Sequence, residues 1–201
     1  MRGLLLDFGG VLTSNVFDSF RRFCIDEGLE PDTVKRLFRE DPRALELVRG
    51  LETGTLAEDE FGERFGELLA IDRRAGLVER MFGHIEPDEE MLSAVRRARA
   101  ARIRTGLISN SMGAATYDRS TFPELFDGVV ISGDEGIHKP QPEIFRLGAE
   151  RVGLPPRECV FVDDLRENCD GAEAVGMTAV LHRGAERTLP ELERLLGVAL
   201  R

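Results

Sequence analysis

The sequence predicts an α/β protein, a doubly wound parallel sheet with an inserted all-helical domain. Three observations carry that expectation. A short apolar run near the amino terminus, Leu4-Leu5-Leu6, ends on Asp7. From His84 onward, apolar runs of strand length alternate with amphipathic helical stretches. Between them, residues 16–82 carry apolar residues at helical spacing and no convincing strand. Near-continuous apolar strands belong to parallel sheets covered on both faces, and strand–helix alternation is how such sheets are connected.

Leu4-Leu5-Leu6 reads as a buried first strand, and Gly9-Gly10 lets the chain turn sharply behind Asp7. Next, Phe17, Phe20, Phe23 and Cys24 form a helical stripe, read as the core of the helical unit rather than a ligand cage. Val34, Leu37 and Phe38 form a second stripe. Gly28 ends the first helix and Pro31-Asp32 starts the next. Asp41-Pro42 begins a third, with Ala44, Leu45, Leu47 and Val48. The segment from Gly50 to Thr55 is a turn, with Thr55 the expected N-cap of a longer helix carrying Phe61, Phe65, Leu68 and Leu69. Leu77, Val78, Met81 and Phe82 mark a short closing helix, and the acidic stretch from Glu58 to Glu67 reads as a solvated face.

The later elements follow in order: a helix over 87–101, a strand over 102–109, a short helical piece near 123–126 and a strand over 128–131. A helix over 142–152, a strand over 159–162, a helix over 168–175, a strand over 177–181 and a last helix over 189–196 complete the chain. A helical block of about seventy residues after the first strand is roughly twice a normal βαβ unit, so it reads as an insertion. The expected division is an α/β core of residues 1–14 and 84–201 and a helical cap of residues 15–83.

Charge narrows the function. Asp plus Glu total 37 against 27 Lys plus Arg, a formal net charge of −10, which argues against nucleic acid and anionic membranes as partners. No apolar run approaches the length of a signal-peptide core or a membrane span. Cys24, Cys159 and Cys169 are odd in number and widely spaced, which fits reduced thiols and a cytoplasmic location. His84, His138 and His182 show no zinc spacing, and His138 reads as a loop residue. Nothing in the sequence sets an oligomeric state.

Three strand ends carry polar residues: Asp7, Ser109-Asn110 and Asp163-Asp164. Lys139 lies between the last two, among prolines and just before a helix. In an open α/β sheet these ends share one edge, where ligands bind. Each residue alone has a plain explanation as a cap, a turn or a solvated side chain. Their recurrence at strand ends is what singles them out.

Taken together, these residues resemble the haloacid dehalogenase-like hydrolase superfamily, most of whose members are phosphatases with a Rossmann-like core. Asp7-Phe8-Gly9-Gly10-Val11-Leu12 looks like its first motif, Leu107-Ile108-Ser109-Asn110 its second, and Lys139-Pro140 with Pro142 its third. Phe161-Val162-Asp163-Asp164, followed by Asn168 and Ala174-Val175-Gly176-Met177, looks like the fourth. The likeness covers nearly the whole chain. Each motif is weak alone, and the four in order are specific. The helical insert is similar to the cap of the subgroup that holds sugar-phosphate phosphatases, β-phosphoglucomutase and the haloacid dehalogenases.

The resemblance implies a Mg²⁺-dependent phosphatase acting on a small phosphorylated metabolite, such as a sugar phosphate. Asp7 would be the nucleophile, forming an aspartyl-phosphate that water hydrolyses. Asp7 and Asp164 would ligate the metal by side chain and Gly9 by its carbonyl, with Asp163 behind them or exchanging roles with Asp164. Lys139 would neutralise phosphoryl oxygens and carboxylates alike. Ser109, Asn110 and the backbone N–H groups after them would hold the phosphoryl group at a helix start. Asn15, Val16, Phe17 and the turn from Gly50 to Thr55 are expected to line the substrate space.

One residue departs from the pattern. The family's phosphatases usually carry a second Asp two positions after the nucleophile, as general acid, and here that position is Gly9. The departure admits an alternative, a phosphate-binding or regulatory protein with little turnover. Dehalogenation of 2-haloacids is a further alternative. It needs no metal and usually pairs with a bulky Tyr at the Gly9 position, whereas Asp163-Asp164 points to a metal.

Overall fold

The computed structural model describes residues 1–111, 113 and 117–201. Five strands, β1 (Gly3–Leu6), β2 (Arg104–Ser109), β3 (Gly128–Ile131), β4 (Cys159–Asp163) and β5 (Thr178–Leu181), pair in parallel in the order β3-β2-β1-β4-β5. Leu4, Leu5 and Leu6 have no solvent exposure, as a central strand covered on both faces requires. Side chains alternate between the faces. Leu4 and Leu6 join Leu107, Val160 and Val162 on one face, while Leu5 joins Ile108, Val130 and Phe161 on the other.

Helices cover both faces. Helix α6 (Glu89–Ala100) and the carboxy-terminal α11 (Ala185–Leu196) pack Met91, Val95, Leu189 and Leu192 on the first face. On the second, α9 (Pro142–Arg151) and α10 (Arg166–Ala174) bring Ile144, Phe145 and Ala172. The strand order reverses direction between β1 and β4, and a crevice opens at the carboxyl ends there.

The insertion folds as α1 (Val16–Asp26), α2 (Thr33–Glu40), α3 (Pro42–Glu52), α4 (Glu58–Leu69) and α5 (Leu77–Phe82). It has its own core around Phe20, Phe23, Phe61, Phe65, Leu77 and Met81. Capping chemistry sets several helix starts. Asn15 accepts from the Phe17 N–H at 2.8 Å, and Asp41, ahead of Pro42, accepts from the Arg43 N–H at 2.9 Å. Asp88 likewise accepts from the Met91 N–H at 2.9 Å to start α6. The two chain segments joining this helical unit to the sheet pair with each other. Thr13 bridges Pro87, and the Ser14 N–H donates to Glu86 O at 2.7 Å.

Several expectations shift. Thr55 is not an N-cap, because α4 starts at Glu58 behind Ala57. The Thr55 hydroxyl instead donates to Gly50 O at 3.3 Å and pairs with Thr53 Oγ1 at 3.0 Å, closing the turn. The last helix begins a turn early, at Ala185, and keeps Pro190 inside it, since Ala185, Thr188 and Leu189 all face the core. A short helix, α8 (Ser132–Glu135), follows β3 and was not expected; α7 (Phe122–Leu125) was. All three cysteines are free and buried, and no helix among the described residues is long and apolar enough to cross a membrane.

His182, just past β5, is buried and shares a 3.0 Å hydrogen bond between its Nδ1 and Thr188 Oγ1. Burial holds its pKa below the ordinary imidazole value. At His182 the unfolded chain therefore takes up a proton first as pH falls, and the contribution of this residue to stability is lost below the unfolded value of about 6.5. Because the other titrating groups are common to both proteins, the change in thermal midpoint from about pH 7.5 to about pH 5 is expected to be less favourable in the natural protein than in His182→Gln. Equal pH slopes in the two proteins would rule out a contribution from His182.

Candidate active site

The backbone of β1 delivers Asp7 to the crevice, where the Asp7 N–H donates to Val162 O at 2.9 Å. Gly10 makes the turn behind it, with φ of +75°. A Cβ there would lie 2.6 Å from Asp164 Oδ2, so the left-handed turn and the approach of Asp164 both call for glycine. One oxygen from each of Asp7, Asp163 and Asp164 lies within 4.8 Å of the other two.

Lys139 sits among these carboxylates. Its Nζ is 2.7 Å from Asp7 Oδ1 and 2.7 Å from Asp163 Oδ2, and its side chain is 1% exposed. Asp163 is fully occupied. Its Oδ1 accepts from the Leu165 N–H at 2.9 Å and from Asn168 Nδ2 at 3.0 Å, and its Oδ2 accepts from Lys139 and, at 3.1 Å, from Asn168. Asp164 receives no side-chain donor among the described residues, and its carboxylate lines the cavity.

Three carboxylates against one ammonium leave a formal surplus of two negative charges in a desolvated place. Burial, with Asp163 and Asp164 nearby, pushes Asp7 up to about 7 against the pull of Lys139. Burial, then Asp163, pushes Asp164 up to about 6. Burial would lower Lys139, but Asp163 and Asp7 together outweigh it and hold the ammonium charged. The open oxygens of Asp7 and Asp164 form an all-oxygen, anionic donor set, which fits a hard divalent cation such as Mg²⁺.

Ser109 and Asn110, at the end of β2, face the same space. Ser109 Oγ is 2.8 Å from Tyr117 OH, and burial raises the Tyr117 pKa to about 12. Asn110 clamps the Lys139 backbone from both sides: its Oδ1 accepts from the Lys139 N–H at 2.8 Å, and its Nδ2 donates to Lys139 O at 3.2 Å. The expected backbone donors after Asn110 fall partly outside the described residues. Of those described, the Ser111 N–H donates to Ser132 Oγ at 2.8 Å and the Gly113 N–H to Ser111 Oγ at 3.2 Å.

Above these groups the helical cap closes a cavity of about 220 Å³. Its floor is polar, with Asp7, Ser109, Asn110, Lys139, Asp164 and Asn168. Its roof is apolar, with Phe17, Phe20, Phe38, Val48 and Phe82. Val16 and Phe17 line it as expected, whereas Asn15 is spent on capping α1 and, from the expected turn, only Glu52 reaches it, from the end of α3. The Phe17-Phe20-Phe23 stripe divides. Phe23 is core, 1% exposed, but Phe17 and Phe20 face the cavity.

Sequence reasoning missed Tyr117, and it placed Glu52 only as part of the expected turn, without its contacts. Glu52 accepts from Asn110 Nδ2 at 3.3 Å, its backbone carbonyl accepts from Ser132 Oγ at 2.5 Å, and burial raises its pKa. Tyr117 is the chain's one tyrosine and carries no motif spacing. Gly9 has a neighbour of its own: a Cβ there would come within 2.8 Å of Val16 Cγ2, so a side chain at this position meets the Val16 methyl from α1.

Residues 1–176 match the haloacid dehalogenase-like hydrolase family. Mouse acyl-CoA dehydrogenase family member 10 is 28% identical over 99% of this chain, which spans only 19% of that protein. Sesquiterpene phosphatase astK of Aspergillus oryzae is 26% identical, over 73% of this chain and 77% of its own length. A haloacid dehalogenase family enzyme from Bacteroides thetaiotaomicron, solved with magnesium and inorganic phosphate, covers 91% of this chain and 94% of its own. It does so at a TM-score of 0.69 and 20% identity, a likeness of fold. With a switch-point crevice, three convergent carboxylates and a family match over residues 1–176, the chain belongs to the haloacid dehalogenase-like hydrolases.

Proposed function

We propose that this hydrolase is a magnesium-dependent phosphatase of small phosphorylated metabolites, working through an aspartyl-phosphate on Asp7. Residues 15–83 serve as its cap and residues 1–14 and 84–201 as its core. The observation that carries the reading is Asp7 on the cavity floor, 2.7 Å from a buried ammonium and clustered with two further carboxylates. The Bacteroides relative, solved with magnesium and phosphate, supports it.

Each residue has a task. Asp7 Oδ attacks phosphorus as the ester oxygen departs, and water then attacks the acyl phosphate, releasing phosphate and restoring the carboxylate. Lys139 neutralises a phosphoryl oxygen as a point charge, held in place by the Asn110 clamp on its backbone. Ser109 donates its hydroxyl to the phosphoryl group, with Tyr117 fixing that hydroxyl. Asp7, Asp164 and the Gly9 carbonyl would hold Mg²⁺, and Asp163, saturated with donors, anchors Lys139 instead. The bound ion supplies positive charge against the phosphoryl oxygens, which a site with a surplus of carboxylates needs.

The departing alkoxide needs a proton that Gly9 cannot give. Glu52 takes that role, being the carboxyl that the cap brings to the cavity, with burial favouring its protonated form. A phosphate-binding protein without turnover is the second reading, favoured by Gly9. It is the outcome if inorganic phosphate binds while no phosphate ester turns over.

Asp7→Asn is expected to lower turnover by about 10³-fold or more, and chelation of divalent metal to abolish it reversibly. Robust turnover without metal would overturn the assignment. Glu52→Gln is expected to cost about 10²-fold on alkyl phosphates but far less on acetyl phosphate, whose leaving group needs no acid. Equal losses on both would show that Glu52 acts on something other than the leaving group. Gly9→Asp alone is expected to lower the thermal midpoint through the Val16 clash, and Gly9→Asp with Val16→Ala to recover it and raise kcat on alkyl phosphates. No gain in kcat in the stable double variant would mean that proton donation does not limit the natural protein.

A further inference from the structure

The cavity's polarity is split by layer. Every charged lining group except Glu52 lies on the core side, where the phosphoryl group would sit. Above it, Phe17, Phe20, Phe38, Val48 and Phe82 present carbon alone. The rings support one another edge to face, with Phe20 centred 6.0 Å from Phe17, 5.9 Å from Phe38 and 5.3 Å from Phe82. The roof is therefore a built aromatic wall rather than a set of mobile side chains. At its edge, Phe17 and Leu165 stay 38% and 39% exposed, so apolar surface continues to solvent.

A polyol leaving group fits this wall poorly. Each sugar hydroxyl turned toward the roof would lose its water partner and find none, at a cost of roughly tenfold or more in affinity apiece. Glu52, the one polar cap side chain lining the cavity among the described residues, already accepts from Asn110. An alkyl, isoprenyl or aryl group would instead displace water from carbon and gain from every methylene buried.

We infer that the substrates are phosphate monoesters of apolar alcohols, with the phosphoryl group on the carboxylate–lysine floor and the hydrocarbon against the Phe17–Phe20–Phe38–Phe82 wall. This rests on the phosphatase reading and sharpens its substrate class from small metabolites in general to amphiphilic ones. Phe17 and Phe20 become specificity-determining residues.

The experiment separates recognition from chemistry. Turnover of acetyl phosphate with Mg²⁺ reports the chemistry alone, since that compound offers the wall almost nothing. Against it, kcat/KM is measured for butyl, hexyl, octyl and decyl phosphates and for ribose phosphate and glycerol phosphate. A rise of about three- to fourfold per methylene, until the hydrocarbon outgrows the cavity, is the expected result. Phe17→Ser, at an exposed position that leaves the fold intact, is expected to shrink the decyl-to-ribose ratio about tenfold. A flat alkyl series, or a preference for ribose phosphate, with acetyl phosphate still turned over, overturns the inference and leaves the phosphatase reading standing. If no compound turns over, the phosphatase reading fails. Binding of decyl and ribose phosphates to Asp7→Asn, followed by calorimetry, then decides the inference by itself: equal affinities overturn it.

Discussion

The structure turns on one buried ammonium. Lys139 Nζ lies 2.7 Å from carboxylates on two different strand ends, with almost no solvent to share the charge. Breaking such a pair on one side leaves an uncompensated charge in the interior, at a cost of about 3–5 kcal/mol. The surroundings are arranged so that this does not happen. Asn168 and the Leu165 N–H occupy the remaining lone pairs of Asp163, and Asn110 fixes the Lys139 backbone at both its N–H and its carbonyl. A Phe161 ring 5.5 Å away presents its face to the same ammonium. Of the three clustered carboxylates, Asp7 and Asp164 line the cavity while Asp163 is taken up by its donors, so the cluster's surplus negative charge is aimed at whatever binds there.

That arrangement explains why the sheet is built as it is. Asp7 and Asp163 meet because β1 and β4 are neighbours in parallel register, with Leu6 opposite Val162. Ser109 and Asn110 meet them because β2 flanks β1 on the other side, with Leu6 opposite Leu107. Three strand ends far apart in sequence are thereby brought within reach of one ligand. The helical insertion hangs from two short segments that pair at Thr13 and Pro87, so it enters and leaves beside the carboxylates. Glu52 joins it to the core by hydrogen bonds, its side chain meeting Asn110 and its carbonyl meeting Ser132. The cap is thus tied to the same asparagine that positions the lysine.

How much of this was legible in the sequence follows from the range of each interaction. Strands announced themselves because a fully covered parallel strand must be apolar without alternation, and Leu4-Leu5-Leu6 is so written. Asp7, Lys139 and Asp163-Asp164 could be singled out because they sit at strand ends in a fixed order. What failed depends on which way a side chain faces within a helix stripe. Phe17, Phe20 and Phe23 share one periodic pattern, yet Phe23 is sealed in the cap core while Phe17 and Phe20 overlook the floor. Periodicity reports that a face is apolar and not whether it meets another helix or a cavity. Tyr117, and the contacts of Glu52 within the expected turn, escaped for a related reason, since they depend on partners, Ser109 and Asn110, a loop or dozens of residues away. The Thr55 cap failed locally, the hydroxyl finding the Gly50 carbonyl before it could reach a helix start.

Gly9 links the core to the cap. Read alone, it is the absence of a carboxyl. In the structure it is also a contact, because Val16 from the first cap helix stands where a side chain would begin. An acid at that position would meet the Val16 side chain, and the helix that carries Val16 also carries Phe17 and Phe20, two of the rings that roof the cavity. Gly9 therefore leaves room for the Val16 side chain of the first cap helix beside the carboxylate cluster. On the proposed phosphatase reading, water displaced from beneath the aromatic roof would no longer screen the floor, and the Lys139 ammonium would act on a bound phosphoryl group at closer to its full strength. On the same reading a proton donor would have to come from the cap side, at the border of carbon and charge, and that is where α3 ends in Glu52.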